Sequence, residues 1–485
     1  MKKIIFLVAF VYLSILRFHN YDRIPGPNHA EELLYGWSGI YLWETGVPVS
    51  WSSLSYPDKY LVFDGPVGTG PMAVPAKLYR PWLDEPPLYS LLSGGMAHLY
   101  GDPKTAPLPT SHTRIPSVIL GTITAALIFL IGKKLFSYWV GLTAMVIYGT
   151  TPLLVFASRL SVPENLTACA VLLVLYFTPD YLKKPRLWYP LLCGLFSAVL
   201  GLAKPTGFFL APLAIFISLL ARRPRHILIT LILTLTGVLI FVWYGYHYDW
   251  ELFKWLVSIQ GVRFAGWSGL GHIFTSPAYD IFNFYDGWYI FCFIFALFFS
   301  LQKNHPLPLK LLSVFFWFWL LVAVFSGTEQ DLLPWYRYPF FPLLSLFGAL
   351  GLRHIWRNPT FIPLAFSFGL LLTTRFYLSN AFRPTTPPNT FRITYLLLLS
   401  PALLYMLWPK PVLKKISRVI FVLFVLLGLY YNSKYIYSVF EIRCESISCP
   451  FGPSTTLSET RLPFFWRYLV MPDPAGLLDT NRPKF

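Results

Sequence analysis

The chain alternates between long apolar runs and short polar segments from Ile4 to Tyr431. A helix that crosses a bilayer needs about 17 to 25 mostly apolar residues, although short or tilted helices also occur. On this criterion thirteen spans can be drawn, near residues 4–18, 115–132, 138–157, 165–179, 187–202, 206–220, 227–245, 287–301, 311–326, 338–352, 360–374, 393–408 and 419–432. Several are short, and adjacent short runs are also compatible with re-entrant pairs. The pattern predicts an all-α polytopic membrane protein, a bundle of about 11 to 13 transmembrane helices.

Two regions lack this apolar pattern. Residues 19–113 form a first loop that is far longer than a typical connection and is rich in Trp, Tyr, Pro and Gly. Long structured loops often bind or catalyse, so we expect function here. Residues 433–485 form a short polar tail after a single membrane domain, residues 1–432. In that tail Cys444 and Cys449 are close enough for a local disulfide in an oxidising compartment.

Composition supports the membrane assignment and excludes two other classes. The 485 residues are 55% hydrophobic and 13% charged, whereas a soluble domain carries about 25% charged residues. A water-soluble globule of this composition would have too few charged residues to cover its surface. The net charge of +17 lies at the ends of the apolar runs and not in one patch, so no nucleic-acid partner is expected. No small-residue cleavage site follows the first apolar run, which we therefore interpret as a membrane helix and not as a signal peptide.

The basic residues also predict an orientation in the bilayer. If the N-terminus is cytoplasmic, the inner loops hold eighteen of the 39 Lys and Arg residues but only one acidic residue, Asp180. This asymmetry is the positive-inside signature of membrane proteins. It predicts a multi-pass protein of the cell membrane whose acidic clusters and isolated cations lie on the extracytoplasmic face.

Two pairs of neighbouring acids lie in the first outer loop. Glu31 and Glu32 open an apolar stretch that continues to Trp37. They are candidates for acid–base chemistry, although carboxylates are favoured in the first turn of any helix. Asp84 and Glu85 precede a double proline that fixes an extended turn before a predicted helix. Asp84 is a further candidate, with capping of that helix as the alternative.

Ionisable residues at the outer ends of the spans form another group. Arg159 and Glu164 lie at the ends of two consecutive short spans, where they could simply pair with each other. Lys204 lies between two apolar runs with almost no loop around it. Because a charge in this position is costly, we favour phosphate binding, although a lysine near a helix end can also extend to water.

Arg337 follows Tyr336 at the outer mouth of another span, shortly after the acids Glu329 and Asp331. A guanidinium suits bidentate binding of a phosphate. An interfacial arginine among belt aromatics would need no function. Together, carboxylates and separated cations on one face of one membrane suggest group-transfer chemistry.

The order of these motifs resembles that of the GT-C glycosyltransferases, in particular the branch of the protein O-mannosyltransferases and the lipid A aminoarabinose transferase. The resemblance rests on Glu31 and Glu32 with Tyr35–Trp37, Asp84–Pro87, Arg114–Ser117, Gly132–Phe136, Arg159 with Pro163 and Glu164, Lys204–Gly207, and Tyr336–Pro342. It is good over about the first 220 residues and thin afterwards.

This resemblance implies an activity. The enzyme would move a sugar from a polyprenyl-phosphate-linked donor to a hydroxyl group of a protein, lipid or glycan acceptor on the extracytoplasmic face, with inversion at the anomeric carbon. The predicted catalytic residues are Glu31, Glu32 and Asp84, with Glu31 as the general base. The predicted substrate-binding residues are Glu85, Arg159, Glu164, Lys204, Tyr336 and Arg337.

Two positions depart from the family pattern. Relatives carry Asp where this chain has Glu31, and often His or Lys where it has Glu85. No metal or other cofactor is predicted, because the single His29 beside the acids is a weak ligand set, although a divalent ion stays open.

Other classes of membrane protein share some of these features. A transporter or lipid flippase would share many helices and buried charges, but such folds usually contain internal repeats with broken helices, and no convincing repeat is evident. Another membrane glycan enzyme, such as a polymerase or ligase, stays an alternative. A nucleotide-sugar donor is disfavoured, because no glycine-rich phosphate loop follows a strand.

Overall fold

The protein is a bundle of helices with a small sheet in its first loop. The computed structural model describes residues 1–25, 30–67, 74–104, 106–261, 270, 273, 287–302, 305–326, 334–373, 388–438, 442–444 and 455–457. His29, Glu329, Asp331 and Cys449 lie outside the described residues.

The first half of the chain contains α1 (Lys2–Phe18), α2 (Ala30–Thr45), α3 (Pro87–Leu99), α4 (Thr110–Thr113), α5 (Ile115–Leu135), α6 (Tyr138–Thr150), α7 (Pro152–Ala157), α8 (Glu164–Lys183) and α9 (Trp188–Ala203). The second half contains α10 (Leu210–Leu220), α11 (Pro224–Tyr248), α12 (Trp250–Gly261), α13 (Gly287–Ser300), α14 (Leu307–Phe325), α15 (Phe341–Arg357), α16 (Phe361–Thr373), α17 (Pro388–Leu407) and α18 (Pro411–Ser438). Short 3-10 segments occur at Asp58–Tyr60, Pro205–Phe209 and Pro334–Phe340. Each predicted span coincides with helical residues, so the predicted class of helical membrane bundle is confirmed.

The helices differ in how well they match the thickness of a bilayer. Among the described residues, four helices are long and apolar enough to cross a membrane, namely Thr110–Leu135, Glu164–Lys183, Pro224–Tyr248 and Leu307–Phe325. Further apolar helices are shorter, at 10–17 residues. Short spans are accommodated by local thinning of the bilayer.

One predicted span, residues 138–157, is divided in two. α6 ends at Thr150 and α7 begins at Pro152, with Thr151 extended at φ −73° and ψ 115°. A proline lacks the N–H group that a helix interior needs and disfavours the α conformation of the residue before it. Pro152 can therefore begin a helix but cannot continue one.

α11 shows how the bundle divides its surface between protein and lipid. An exposed apolar stripe runs along it at helical spacing, formed by Leu228, Leu231, Ile232, Leu235 and Leu239. The opposite face packs on α9, where a Cβ atom on Gly237 would lie 2.7 Å from the Cα atom of Ala198. Small residues permit such close helix contacts in membranes. We expect lipid to cover the exposed stripe.

The first outer loop contains a three-stranded antiparallel sheet that the sequence analysis did not predict. Its strands β1 (Ser50–Trp51), β2 (Leu61–Val67) and β3 (Val74–Tyr79) lie in the order β1-β3-β2. Tyr79 pairs with Ser50 on one side and with Leu61 on the other. The strands are short and contain Pro66 and Pro75, which obscure an alternating pattern. The all-α description therefore holds for the bundle but not for this loop.

α2 and α3 pack together through two glycines. A Cβ atom on Gly39 would lie 1.8 Å from the carbonyl oxygen of Ser90, and one on Gly94 would lie 2.3 Å from the nitrogen of Ile40. The two backbones therefore approach as closely as only glycine permits. This contact sets α2 beside the turn that precedes α3, and so brings the two acidic pairs of the loop together.

The charged residues separate between the two ends of the bundle. At one end the Tyr138 hydroxyl donates to the Lys2 carbonyl, and Lys134 pairs with Asp180 at 2.6 Å. At the other end Arg114 pairs with Glu32, and Lys204 pairs with Glu164. The predicted grouping of acids and isolated cations at one end therefore holds for these residues.

The C-terminal tail is described only in part. α18 continues to Ser438, six residues beyond the predicted domain end at 432. The backbones of β4 (Ile442–Cys444) and β5 (Thr455–Leu457) pair in antiparallel fashion. The disulfide between Cys444 and Cys449 stays a prediction.

The separation of charge predicts how the chain is oriented in cells. With Cys444 and Cys449 replaced by Ser, a cysteine at Asp58→Cys should react with a membrane-impermeant maleimide in intact cells. One at Lys184→Cys should react only after permeabilisation, because inner loops concentrate the basic residues. Labelling of both positions from outside would contradict the orientation.

The contact between α2 and α3 predicts a sensitive position. Gly94→Ala should lower the free energy of unfolding by about 1–3 kcal/mol, because the added methyl group overlaps the backbone of α2. The matched control is Gly261→Ala, where no atom of the described residues lies within 4 Å of the added Cβ. Thermal unfolding in detergent measures the stability of both variants. Equal melting temperatures would mean that α2 and α3 can move apart without loss of stability.

Candidate active site

Lys204 and Glu164 form a buried ion pair at the end of the bundle that carries the first loop. The Lys204 Nζ lies 2.7 Å from the Glu164 Oε1, and both residues are almost fully buried. The same Nζ lies 4.5 Å from the centre of the Tyr336 ring, within the range of a cation–π contact. Three predicted substrate-binding residues, from α8, the end of α9 and the segment Pro334–Phe340, therefore meet.

The local sequence explains the position of Lys204. α9 ends at Ala203 because Pro205 follows, and Lys204 is extended at φ −160° and ψ 138°. The Gly207 N–H then donates to the Lys204 carbonyl at 2.8 Å. The chain turns so tightly that a Cβ atom on Gly207 would lie 2.3 Å from the carbonyl carbon of Leu200. The lysine is held in the interior and does not extend to water.

Glu85 faces this ion pair from the turn between β3 and α3. Its Oε2 is buried and has no hydrogen-bond partner among the described residues. Burial raises the pKa of its carboxyl group to about 8, opposed by the charge of Lys204 and assisted by the charges of Glu31 and Glu164. A carboxyl group with this pKa is mostly protonated at neutral pH.

Glu31 lies in the first turn of α2, within electrostatic reach of the same cluster. It is partly buried, and its charge contributes to the raised pKa values of Glu85 and Tyr35. The Tyr35 hydroxyl is itself buried without a hydrogen-bond partner in the described part of the chain. The structure therefore places Glu31, Glu85, Glu164, Lys204 and Tyr336 in one cluster.

Glu32 points elsewhere, because adjacent side chains on a helix lie about 100° apart. Its Oε1 accepts from the Arg114 Nε and its Oε2 accepts from the Arg114 Nη2, both at 2.7 Å. The Ser161 backbone N–H also donates to Oε1 at 2.7 Å. This carboxylate joins α2 to the bundle, and its geometry favours a positioning role over the predicted catalytic one.

Asp84 is bound by the outer loop and does not cap α3. Its Oδ2 accepts from the Ser52 hydroxyl at 2.5 Å, and its Oδ1 accepts from the Tyr56 hydroxyl at 2.7 Å. The residue before α3 is Pro86, and no side chain caps that helix. The Gln260 side chain donates to the Asp84 carbonyl at 2.8 Å. Asp84 therefore holds the sheet and α12 against the turn that carries Glu85.

Arg159 has a role that the sequence analysis did not predict. Its guanidinium donates to the carbonyl oxygens of Leu16, Arg17, His19 and Ile24 at 2.7–3.0 Å. These carbonyls lie at and beyond the end of α1, where helices leave acceptors unsatisfied. Glu164 pairs with Lys204 and not with Arg159. These contacts anchor the end of α1, and the role of Arg159 in substrate binding stays a prediction.

Arg337 follows Tyr336 in the segment Pro334–Phe340 and is fully buried. Its Nη1 donates to the Ile273 carbonyl at 3.2 Å, and the Tyr289 hydroxyl donates to the same oxygen at 3.1 Å. The neighbouring position of Tyr336 brings it near the Lys204 cluster. Its role in binding phosphate stays a prediction.

Aromatic rings line the loop side of the cluster. Tyr35 lies edge-on to Tyr89 at 5.3 Å and to Trp82 at 6.4 Å, and Tyr56 lies 4.7 Å from Tyr79. All five rings are buried. Such a cover excludes water and strengthens the electrostatic interactions beneath it.

Arg17 is a buried charge that the sequence analysis missed. Its Nε donates to the Ser158 hydroxyl at 2.8 Å, its guanidinium lies 4.9 Å from the Tyr148 ring, and it packs on Gly121. In the sequence Arg17 is a lone arginine at the end of an apolar run. This position fits a buried functional charge and an interfacial flanking charge equally well.

The metal prediction is not tested by these contacts. Among the described residues no group of three or more His, Cys, Asp or Glu side chains is arranged to hold a metal ion. The expectation that no metal is used stays a prediction.

Part of the chain is similar in sequence to a known protein family. Residues 84–247 match the family model of the dolichyl-phosphate-mannose-protein mannosyltransferases. This segment is less than half of the chain, and it contains Asp84, Glu85, Arg159, Glu164 and Lys204. No curated protein matches the chain by sequence.

Two solved structures share the fold. The crystal structure of ArnT from Cupriavidus metallidurans bound to undecaprenyl phosphate has a TM-score of 0.51 and 13% identity, over 89% of this chain and 77% of ArnT. The cryo-EM structure of arabinosyltransferase EmbB from Mycobacterium smegmatis has a TM-score of 0.54 and 16% identity, over 90% of this chain and 41% of EmbB. This chain thus spans less than half the length of EmbB.

These findings confirm the predicted resemblance. The chain is a multi-pass membrane protein with the fold of the GT-C glycosyltransferases. Within that class, the part that carries the Lys204 cluster is similar to the protein mannosyltransferases.

The contacts of Arg159 predict the effect of replacing it. Arg159→Lys should lower the free energy of unfolding by about 2 kcal/mol or more, because one ammonium group cannot satisfy four carbonyl oxygens. Arg186→Lys, at an exposed arginine, is the control. Thermal unfolding and binding of polyprenyl phosphate should be measured together. An unchanged melting temperature with weaker lipid binding would contradict the anchoring role and support substrate binding by Arg159.

Proposed function

We propose that this protein is a membrane glycosyltransferase that moves a sugar from a polyprenyl-phosphate-linked donor to an acceptor hydroxyl group. The reaction takes place on the extracytoplasmic face of the cell membrane and inverts the anomeric carbon. The observation that carries the proposal is the cluster of Glu31, Glu85 and the Lys204–Glu164 pair, lined by aromatic rings at the outer end of a GT-C fold.

The site fits a direct displacement. The acceptor oxygen attacks the anomeric carbon, the bond from that carbon to the phosphate oxygen breaks, and the polyprenyl phosphate leaves with the bonding electrons. Glu31 takes the proton of the acceptor hydroxyl as general base. One displacement of this kind inverts the configuration. The phosphate gains negative charge as it leaves, and Lys204 and Arg337 stabilise that charge from fixed positions.

The Lys204–Glu164 pair affects how that stabilisation works. With Glu164 at 2.7 Å, the lysine is held in place and its charge is partly compensated. A fixed ammonium group needs little rearrangement when charge develops in front of it. The pair therefore supports release of a phosphate without binding the resting donor too tightly.

A lipid-linked donor fits the surroundings of the site. The cluster lies at the ends of α8 and α9, within the apolar bundle, so a polyprenyl chain could lie against the helices while its phosphate reaches Lys204. ArnT, which shares the fold at 13% identity, was solved with undecaprenyl phosphate. A protein, lipid or glycan hydroxyl could approach from the first outer loop.

The central test is replacement of the proposed base. Glu31→Gln should reduce sugar transfer by about 10²- to 10⁴-fold, because an amide cannot accept the acceptor proton. Glu44→Gln, at an exposed glutamate of the same helix, should match the wild type. Transfer is measured as loss of radiolabelled sugar from polyprenyl phosphate in membranes, with the amount of folded protein quantified. Near-normal activity of Glu31→Gln would move the base to another residue.

The same assay separates this proposal from transport. A transporter or lipid flippase would move the labelled donor across proteoliposome membranes with the bond between sugar and phosphate intact. Intact donor after complete translocation would reject the enzyme, whereas release of polyprenyl phosphate with a labelled acceptor would reject the transporter.

A further inference from the structure

The carboxyl group of Glu85 has one buried oxygen atom. The Glu85 Oε2 is buried and accepts no hydrogen bond from the described residues, while Lys204 is engaged by Glu164 at 2.7 Å. Resting on the proposed function, we propose that Glu85 is protonated when the donor binds and donates a hydrogen bond from its carboxylic acid group to the phosphate of the lipid-linked sugar.

The groups that face Glu85 explain why the proton is retained. Burial is the largest influence and disfavours the charged form, and Lys204 opposes it. Glu31, Glu164 and Asp84 each add a negative charge that also disfavours ionisation of Glu85. The Tyr35 hydroxyl on α2 is neutral in this range, because burial raises its pKa. Together these influences raise the pKa of Glu85 to about 8.

The geometry also makes Glu85 a suitable donor. Pro86 precedes α3 with φ −62° and ψ 157°, and Pro87 begins the helix, so the turn that carries Glu85 is stiff. Glu85 is partly buried as a residue, and its Oε2 is enclosed. A protonated carboxyl group offers one O–H donor, and hydrogen bonds to an ionised phosphate are stronger than neutral ones.

An ionised Glu85 would have the opposite effect. The donor is a phosphodiester with one negative charge, and its approach to Lys204 brings it towards Glu85. A carboxylate there would repel the phosphate in a poorly solvated site. The neutral acid removes the repulsion and supplies a donor. During sugar transfer the proton stays on Glu85, and the acceptor proton goes to Glu31.

The affinity for the phosphate should depend on the protonation of Glu85. Below about pH 8 Glu85 carries its proton and binds the phosphate, and above that value it loses the proton and the hydrogen bond together. Affinity for a phosphodiester lipid should therefore fall by about tenfold between about pH 7 and about pH 9. A phosphodiester probe keeps its single charge over this range, so its own titration does not contribute.

The experiment uses the full chain in lipid nanodiscs and farnesyl methyl phosphate as the probe, with farnesol as the control without phosphate. Wild-type protein should show the tenfold loss of affinity. Glu85→Gln cannot ionise but keeps an N–H donor, so its affinity should not vary with pH and should exceed that of the wild type by about tenfold at about pH 9. Glu44→Gln changes an exposed glutamate that pairs with Lys104, and should follow the wild-type curve.

Glu85→Ala keeps the test decisive if the glutamine variant does not fold. It removes both the donor and the charge, so it should bind more weakly than the wild type at about pH 7 and show no pH dependence. Melting temperatures establish that each variant is folded. A wild-type affinity that does not change between the two pH values would overturn the inference. Weaker binding by folded Glu85→Gln at both values would do so as well, because Glu85 would then act as a carboxylate.

These outcomes are distinct from failure of the proposed function. If no form of the protein binds farnesyl methyl phosphate better than farnesol, the lipid-phosphate donor itself is wrong. If the wild type binds the probe without pH dependence, only the role of Glu85 is wrong. Sugar transfer by Glu85→Gln identifies a third outcome. If transfer is abolished while probe binding is retained, Glu85 is the general base.

Discussion

The ion pair between Glu32 and Arg114 joins the first outer loop to the membrane bundle. Two hydrogen bonds of 2.7 Å connect the side chains, and Arg114 also binds the carbonyl oxygens of Tyr21 and Pro25. A buried pair of this kind adds little to stability compared with apolar packing, but loss of one partner costs about 3–5 kcal/mol because a charge is left uncompensated. Its main effect is to fix α2 in one position. The placement of Glu31 beside Lys204 depends on it.

Buried charges of the same type have different roles in this structure. Arg159 satisfies the carbonyl groups that end α1, Arg114 holds α2, and Arg337 donates to the Ile273 carbonyl. Among the acids, Glu32 and Glu164 are paired with cations, whereas Glu85 has a buried oxygen that no described residue hydrogen-bonds, and burial raises its pKa to about 8. In an interior of low dielectric constant, partners decide whether an acid is ionised. Environments that give neighbouring acids different pKa values are typical of catalytic sites.

Much of the fold could be read from the sequence. A lipid environment requires each span to satisfy its own backbone hydrogen bonds. Each membrane helix therefore corresponds to one continuous apolar segment of the sequence. The division of 138–157 at Pro152 was missed, although proline chemistry accounts for it. The sheet of the first loop was missed because its strands are two to seven residues long and interrupted by proline. The grouping of acids and isolated cations at one end also followed from local patterns of charge.

The amino-acid sequence by itself determined the helical bundle, the grouping of charges at its ends and the residue types available for chemistry, because these depend on neighbours along the chain. Only the tertiary structure decided which charges meet. Arg114 and Glu32 are 82 residues apart in sequence, and Arg159 reaches carbonyl oxygens 135–143 residues away. Partners at such distances leave no periodic signal, so Arg159 and Lys204 look alike in the sequence. Packing of the helix ends surrounds Arg159 with carbonyl oxygens and places Lys204 against the Glu164 carboxylate. This difference makes Arg159 an anchor for α1 and Lys204 part of a candidate site.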